Sequence, residues 1–199
     1  MRKIVAFDRV SADGYFADAG GGLGWVVPEE ALDREAAGGL GGSGTMLFGR
    51  RTYEMFESFW PHVSQDAPAG PDPHTPSRHS PEMVAMAKWI NQAEKHVFST
   101  TRNEVTWQNS HLHPTLDPRE VEAMKGGEGG NIMLFGSGTI VSQLTERGLI
   151  DEYHFIVGPV LLGSGKLLVS GVPSTVRLEL LEAKPYPNGN VMLKYARKG

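Results

Sequence analysis

Apolar residues recur along this chain in short blocks, set apart by glycine, proline and small polar residues. Block length and spacing alternate between strand and helix character. Lys3 to Phe7 reads as a buried first strand, and Ser11-Ala12-Asp13-Gly14 followed by Gly20-Gly21-Gly22 is too rich in glycine to be regular structure. Pro28 at an early helical position, with Glu29 and Glu30 in the first turn, starts a helix that ends near Gly38-Gly39. Thr45 to Phe48 is a short strand stopped by Gly49. Arg51 to Phe59 is helical, with Tyr53, Phe56 and Phe59 or Trp60 on its apolar face. Proline, histidine, serine and aspartate then dominate, which predicts a long exposed excursion over residues 61–81.

Beyond it, Met83 to Asn91 reads as a helix and Lys95 to Ser99 as a strand, with Val105-Thr106-Trp107 a candidate for another. Val121 to Lys125 belongs to a helix closed by Gly126-Gly127. The clearest unit follows: strand Asn131 to Phe135, turn Gly136-Ser137-Gly138, helix Thr139 to Arg147, cap Gly148 and strand Asp151 to Val157. That order predicts a parallel crossover. Val176 to Ala183 and Val191 to Tyr195 flank Pro187-Asn188-Gly189, a hairpin signal, so the expected α/β fold has a mixed, largely parallel sheet.

The 199 residues suit one domain, 1–199, and are short for two. A formal charge of -4 exerts no pull toward nucleic acid or anionic membrane, and no basic stripe interleaved with aromatics occurs. The absence of cysteine excludes disulfides, thiolate metal sites and a cysteine nucleophile, and suits a reducing compartment. No run approaches the roughly 20 apolar residues of a membrane span, and Asp8 and Arg9 cut short the apolar start. A cytoplasmic protein is expected. His111-x-His113 places two histidines on one strand face without a third ligand, so no metal is expected.

Candidate chemistry lies in three loops that follow apolar strands, at the sheet edge where α/β proteins bind ligands. Gly136-Ser137-Gly138-Thr139 offers free amides at a helix start, suited to a diphosphate; it also reads as an ordinary tight turn. No Gly-Lys-Ser/Thr follows, and Val141 breaks a GxGxxG pattern. Gly49-Arg50-Arg51-Thr52 sets paired arginines beside a helix N-terminus, as a phosphate site or as solvated surface. Ser99-Thr100-Thr101-Arg102 brings hydroxyls and a guanidinium directly after a strand, either for a ligand or as a helix cap.

The order of these motifs resembles a known family. Ser11-Ala12-Asp13-Gly14-Tyr15, Leu47-Phe48-Gly49-Arg50-Arg51-Thr52-Tyr53-Glu54, Val97-Phe98-Ser99-Thr100 and Leu134-Phe135-Gly136-Ser137-Gly138-Thr139 occur in sequence. Gly148-Leu149-Ile150-Asp151-Glu152-Tyr153 and Gly158-Pro159-Val160-Leu161-Leu162-Gly163-Ser164-Gly165 follow. Together they resemble the dihydrofolate-reductase-like proteins related to the C-terminal reductase domain of bacterial riboflavin biosynthesis, over roughly residues 2–196. The resemblance implies a three-layer fold closed by a C-terminal hairpin, a homodimer and an NADPH site. Gly49, Arg50, Arg51 and Thr52 would lie beside the 2′-phosphate and diphosphate. Ser99, Thr100 and Arg102 would flank the adenosine, and Gly136, Ser137, Gly138, Thr139 and Ile140 would follow the diphosphate. Ala6 and the loop from Ser11 to Phe16 would border the nicotinamide and substrate.

For the acid, Trp25-Val26-Val27-Pro28-Glu29-Glu30 resembles the tryptophan, proline and carboxylate stretch of dihydrofolate reductases, which puts Glu30 in that role. Asp13 is the second candidate, and an Asp-Gly turn is its structural alternative. Tyr15, Phe16, Trp25 and Phe56 are the substrate-side candidates. The zinc-deaminase pattern is missing, which excludes deamination, and no arginine for a folate glutamate tail is evident. The expected activity is hydride transfer from NADPH to a pterin-like or ribosylaminopyrimidine-like heterocycle. A true dihydrofolate reductase, or a dinucleotide- or flavin-binding protein without nicotinamide-dependent turnover, would keep the same loops.

Overall fold

The computed structural model describes residues 1–40, 42–63 and 81–199. Residues 64–80 of the expected excursion lie outside the described residues. The chain orders itself as β1 (Ile4–Ser11), β2 (Tyr15–Ala17), α1 (Glu30–Leu40), β3 (Thr45–Gly49), α2 (Arg50–Phe59) and a 3-10 turn (Trp60–His62). Then come α3 (Pro81–Gln92), β4 (Glu94–Phe98), β5 (Ser110–His113), α4 (Pro118–Gly126), β6 (Ile132–Phe135) and α5 (Gly138–Glu146). The chain closes with β7 (Glu152–Gly158), β8 (Lys166–Leu167), β9 (Leu178–Pro185) and β10 (Val191–Arg197). Among the described residues no helix is long and apolar enough to cross a membrane.

The main sheet runs β5-β4-β3-β6-β1-β7-β10-β9. Every pair from β5 to β7 is parallel, and the β9–β10 hairpin adds to β7 antiparallel. This is the mixed, largely parallel sheet expected from the order of elements. Strand alternation separates two cores. Met46, Phe48, Val5, Met133 and Phe135 face α2 and α3 together with Phe56 and Ile90, whereas Ile4, Ala6, Leu47, Ile132 and Leu134 pack with Ile140, Val141 and Leu144 of α5. The result is three layers. On the first face Phe48 meets Phe56 edge-on at 5.1 Å and Phe135 lies 5.6 Å from Phe56, contacts worth about 0.5–1.5 kcal/mol each beyond burial.

Besides β1, which runs on to Ser11 where the sequence reading ends it at Phe7, two parts of the fold differ from the sequence expectation. Val105 to Trp107 is not a strand; pairing with β4 begins at Ser110. Trp107 is buried instead, its indole N–H donating to Asn91 Oδ1 at 2.7 Å and its backbone N–H to the Tyr53 hydroxyl at 3.3 Å. The fully buried Lys95 donates to the carbonyls of Asn91, Ala93 and Gln108, so the chain is pinned at the β4 start before it can pair. Asn109, in the left-handed region at φ 57°, then turns it into β5. The second difference is the β2–β8 ribbon, whose strands are too short to give an alternating pattern.

The C-terminal hairpin also holds the start of α1. Asn190, buried, donates from Nδ2 to the Val27 carbonyl at 2.9 Å, and Asn188 Nδ2 donates to the Pro28 carbonyl at 2.9 Å. Replacing Asn190 by leucine leaves the Val27 carbonyl without this donor. Asn190→Leu is expected to lower stability by about 1–3 kcal/mol in urea denaturation, and Asn188→Ala, at an exposed bond, by less.

Candidate active site

Because β1, β3, β4 and β6 run parallel, their C-terminal ends share one edge. A cavity of about 1230 Å³ opens there. The three loops singled out in the sequence all reach it, through Ser99 and Thr100 after β4, Gly49 to Thr52 after β3, and Gly136 to Ile140 after β6.

The loops after β3 and β6 are packed against each other. A side chain at Gly49 would collide with Ser137, and one at Gly136 would meet Thr52 Oγ1 at 3.0 Å. Gly136 (φ 54°) and Ser137 (φ 60°) are both left-handed, a backbone that turns successive amides toward one side. Gly136 suits that conformation. Ser137, with a Cβ, holds it at some cost and forms the N-cap of α5. The Ile140 and Val141 amides bond the Ser137 carbonyl, while those of Ser137, Gly138 and Thr139 find no acceptor among the described residues. They form a ready anion cradle at a helix N-terminus.

The basic residues divide. Arg50 lines the cavity but pairs with Glu54 at 3.0 Å, whereas the exposed Arg51 has no ion pair among the described residues. Arg102 turns away from the cavity, pairing with Glu57 at 3.3 Å and lying 5.0 Å from the Tyr53 ring. The Ser99 hydroxyl accepts from the Thr101 and Arg102 amides, so it caps its own turn while it lines the cavity.

The substrate-side candidates divide as well. Phe16 and Phe56 line the cavity. Ala6 is fully buried in the core beneath it. Tyr15 packs beside Gly165 and Trp25 beside Gly158, both away from the cavity wall. Glu30 opens α1 and stands exposed at the cavity rim. Asp13 lies elsewhere. Its carboxylate accepts from Ser11 Oγ at 2.6 Å and from the amides of Leu162 and Gly163, ties that hold its pKa below the usual carboxylate range. Asp13 thus fastens the β1–β2 turn to the loop after β7.

Sequence reasoning missed Asp8. It sits within β1, on the face of Ile4 and Ala6, and is 4 % exposed. Its Oδ1 accepts the Gly136 amide at 2.7 Å, while Oδ2 is buried without a partner among the described residues. Asp8 lines the cavity. Burial pushes its carboxyl up to about 7, against the lowering effect of the Gly136 amide. The available signal was a charged pair, Asp8-Arg9, inside a strand that continues to Ser11; reading the strand as ending at Phe7 hid it.

Beyond the cavity, His96 Nδ1 lies 2.9 Å from His113 Nε2, and His111 pairs with Glu94 at 3.2 Å. Among the described residues no group of three or more side chains is arranged to hold a metal ion.

Residues 2–192 match the family model described as the RibD C-terminal domain. An uncharacterized protein of Bacillus subtilis (strain 168), YyaP, is 26% identical over 199 residues, covering 100% of this chain and 97% of that protein. A crystal structure of a putative riboflavin biosynthesis protein from Shewanella sp. PV-4 superposes with a TM-score of 0.68 at 20% identity, covering 99% of each chain. Dihydrofolate reductase from Enterococcus faecalis, solved with NADP(H) and RAB-propyl, superposes with a TM-score of 0.58 at 12% identity, over 99% of this chain and 97% of that one. The fold is therefore dihydrofolate-reductase-like.

The environment of Asp8 has a consequence for stability. The folded carboxyl keeps its proton up to about 7, whereas the unfolded one releases it near 3.8. The folded state binds the extra proton between those values, so stability falls as pH rises through that window and levels off above it. Asp8→Asn is expected to flatten this decline. Thermal denaturation of both proteins at pH 5 and pH 8 measures it, with the wild type losing a few kcal/mol relative to the variant.

Proposed function

The chain belongs to the RibD C-terminal domain family, and we propose that it is an NADPH-dependent reductase acting on a small planar heterocycle. One observation carries the reading. Loops after three adjacent parallel strands, β4, β3 and β6, meet at one cavity, and the loop after β6 presents amides with no acceptor among the described residues. Ligand pockets of about 300–1000 Å³ hold a single drug-sized molecule; a cavity of about 1230 Å³ suits a dinucleotide and a substrate together.

The residues present fit that cofactor. Ser137, Gly138 and Thr139 would hold the diphosphate through their backbone, Arg51 the 2′-phosphate, and Ser99 and Thr100 the adenosine end. When bound, NADPH supplies a hydride from its nicotinamide ring. The chain's own part is orientation and exclusion of water. Phe7, Phe56, Trp60 and Met86 line an apolar wall suited to a flat ring, with Glu30 at the rim to accept from ring N–H groups. Pterin-like and ribosylaminopyrimidine-like compounds are the substrate classes this wall would take.

The protein is further read as a cytoplasmic homodimer. β9 is the last strand of the sheet, and its exposed Leu180 and Leu181 would be covered by a second copy. Light scattering of the wild type against Leu180→Asp checks this, with the variant expected to be monomeric.

Calorimetric titration with NADPH and NADH tests the cofactor. NADPH is expected to bind at least tenfold more tightly. Arg51→Gln should remove most of that preference by weakening NADPH about tenfold or more, in line with about 1.5–3 kcal/mol for a hydrogen bond to a charged group, and leave NADH unchanged. Binding of NADPH without its oxidation by pterins, ribosylaminopyrimidines or small imines would favour a cofactor-binding protein that does not turn over. Binding of neither dinucleotide overturns the reading.

A further inference from the structure

The sheet order assigns a direction to the cavity. Moving from β4 through β3 and β6 to β1, the edge offers the hydroxyls of Ser99 and Thr100, then the arginines of α2, then the amides of the 136–139 turn, and last Asp8. Neighbouring strands lie about 4.8 Å apart, so these stations span about 14 Å. An extended dinucleotide with its phosphates on the turn and its adenosine toward β4 therefore brings its nicotinamide half to β1.

Asp8 waits at that end with an unusual environment for a carboxyl. One oxygen takes the Gly136 amide, the first of the same turn, and the other is buried with no partner among the described residues. β6 and the first turn of α5 bring no charge against it. β7 sets Phe155 opposite it and turns His154 onto Phe7, on the other face. Charged groups that share the cavity are Arg9 on β1, Glu30 and Arg34 on α1, Arg50 and Arg51 on α2, Glu82 on α3 and Lys166 on β8. An ionised Asp8 would compete with a bound diphosphate for the positive potential of one turn, and its buried Oδ2 would carry charge with no partner among the described residues.

We propose that Asp8 binds the nicotinamide half of the dinucleotide as a neutral carboxyl, its Oδ2–H donating to a ligand oxygen, so that cofactor binding takes up a proton. This rests on the NADPH reading above. The proton comes from solvent and adds to the free carboxylate oxygen; no other bond changes. Near pH 6 the carboxyl is already protonated and binding draws nothing, whereas near pH 8 most molecules must gain a proton first. Affinity accordingly falls as pH rises through the value of the free carboxyl.

The test is titration of the whole protein with NADPH at pH 8 in phosphate and in Tris, whose ionisation enthalpies differ, repeated from about pH 6.5 to 8.5. The wild type is expected to show a buffer-dependent enthalpy equivalent to nearly one proton and a loss of affinity of about tenfold or more across the range. Asp8→Asn, which keeps a donor in the same place, should show neither effect. Asp8→Leu, which has no donor, should bind weakly at every pH. Wild-type binding without proton uptake, or proton uptake that persists in Asp8→Asn, overturns the inference and leaves the reductase reading standing. Failure of the wild type to bind NADPH at any pH overturns both.

Discussion

The close approach of two backbone turns organises this molecule. The loops after β3 and β6 touch through Gly49, Ser137, Thr52 and Gly136, with no room for a side chain at Gly49. That contact is possible because β3 and β6 are parallel neighbours and end on the same edge. It fixes the left-handed pair at 136–137, which in turn leaves the first amides of α5 without an acceptor among the described residues. A side chain at Gly49 would push the turns apart and scatter the amides. The anion cradle is therefore a property of the sheet's register more than of the glycine-rich motif alone.

Around this contact the structure spends stability locally. A non-glycine residue in a left-handed conformation and a buried carboxyl with one oxygen unpaired among the described residues are both unfavourable in isolation. Distant in the chain, they are brought together through the Gly136 amide, which donates to Asp8 and precedes Ser137. The two apolar cores on either face of the sheet over-determine the positions of β1 and β6, which lets the edge carry such groups. Elsewhere, polar residues serve the frame. Asp13 ties a turn, Lys95 sets where β5 begins, and Asn190 fastens the hairpin to the segment before α1.

The division among the charged residues shows how tertiary contacts reassign a motif. Arg50, Arg51 and Arg102 look equivalent beside strand ends in the sequence. In the fold, Glu54 and Glu57 engage Arg50 and Arg102, and Arg51 alone of the three meets the cavity without an ion pair among the described residues. Likewise Glu30 and Asp13 are both early acidic residues near glycine loops, yet one stands at the cavity rim and the other is taken up by two backbone amides.

The sequence by itself determined most of the long strands and helices, the parallel crossover around Gly136, the closing hairpin and the three loops at the strand ends. Those features rest on local periodicity, on turn residues and on motif spacing, all of which are written within a few positions of one another. Only the tertiary structure decided the strand order that lines the loops up from β4 to β1, the start of β5 at Ser110, the β2–β8 ribbon and the role of Asp8. Each of these depends on partners far away in the chain: Asp8 on Gly136, Asp13 on Gly163, Trp107 on Tyr53. Burial, pairing and the loss of a partner are set by what packs against a residue, and that information exists only once the chain has closed on itself.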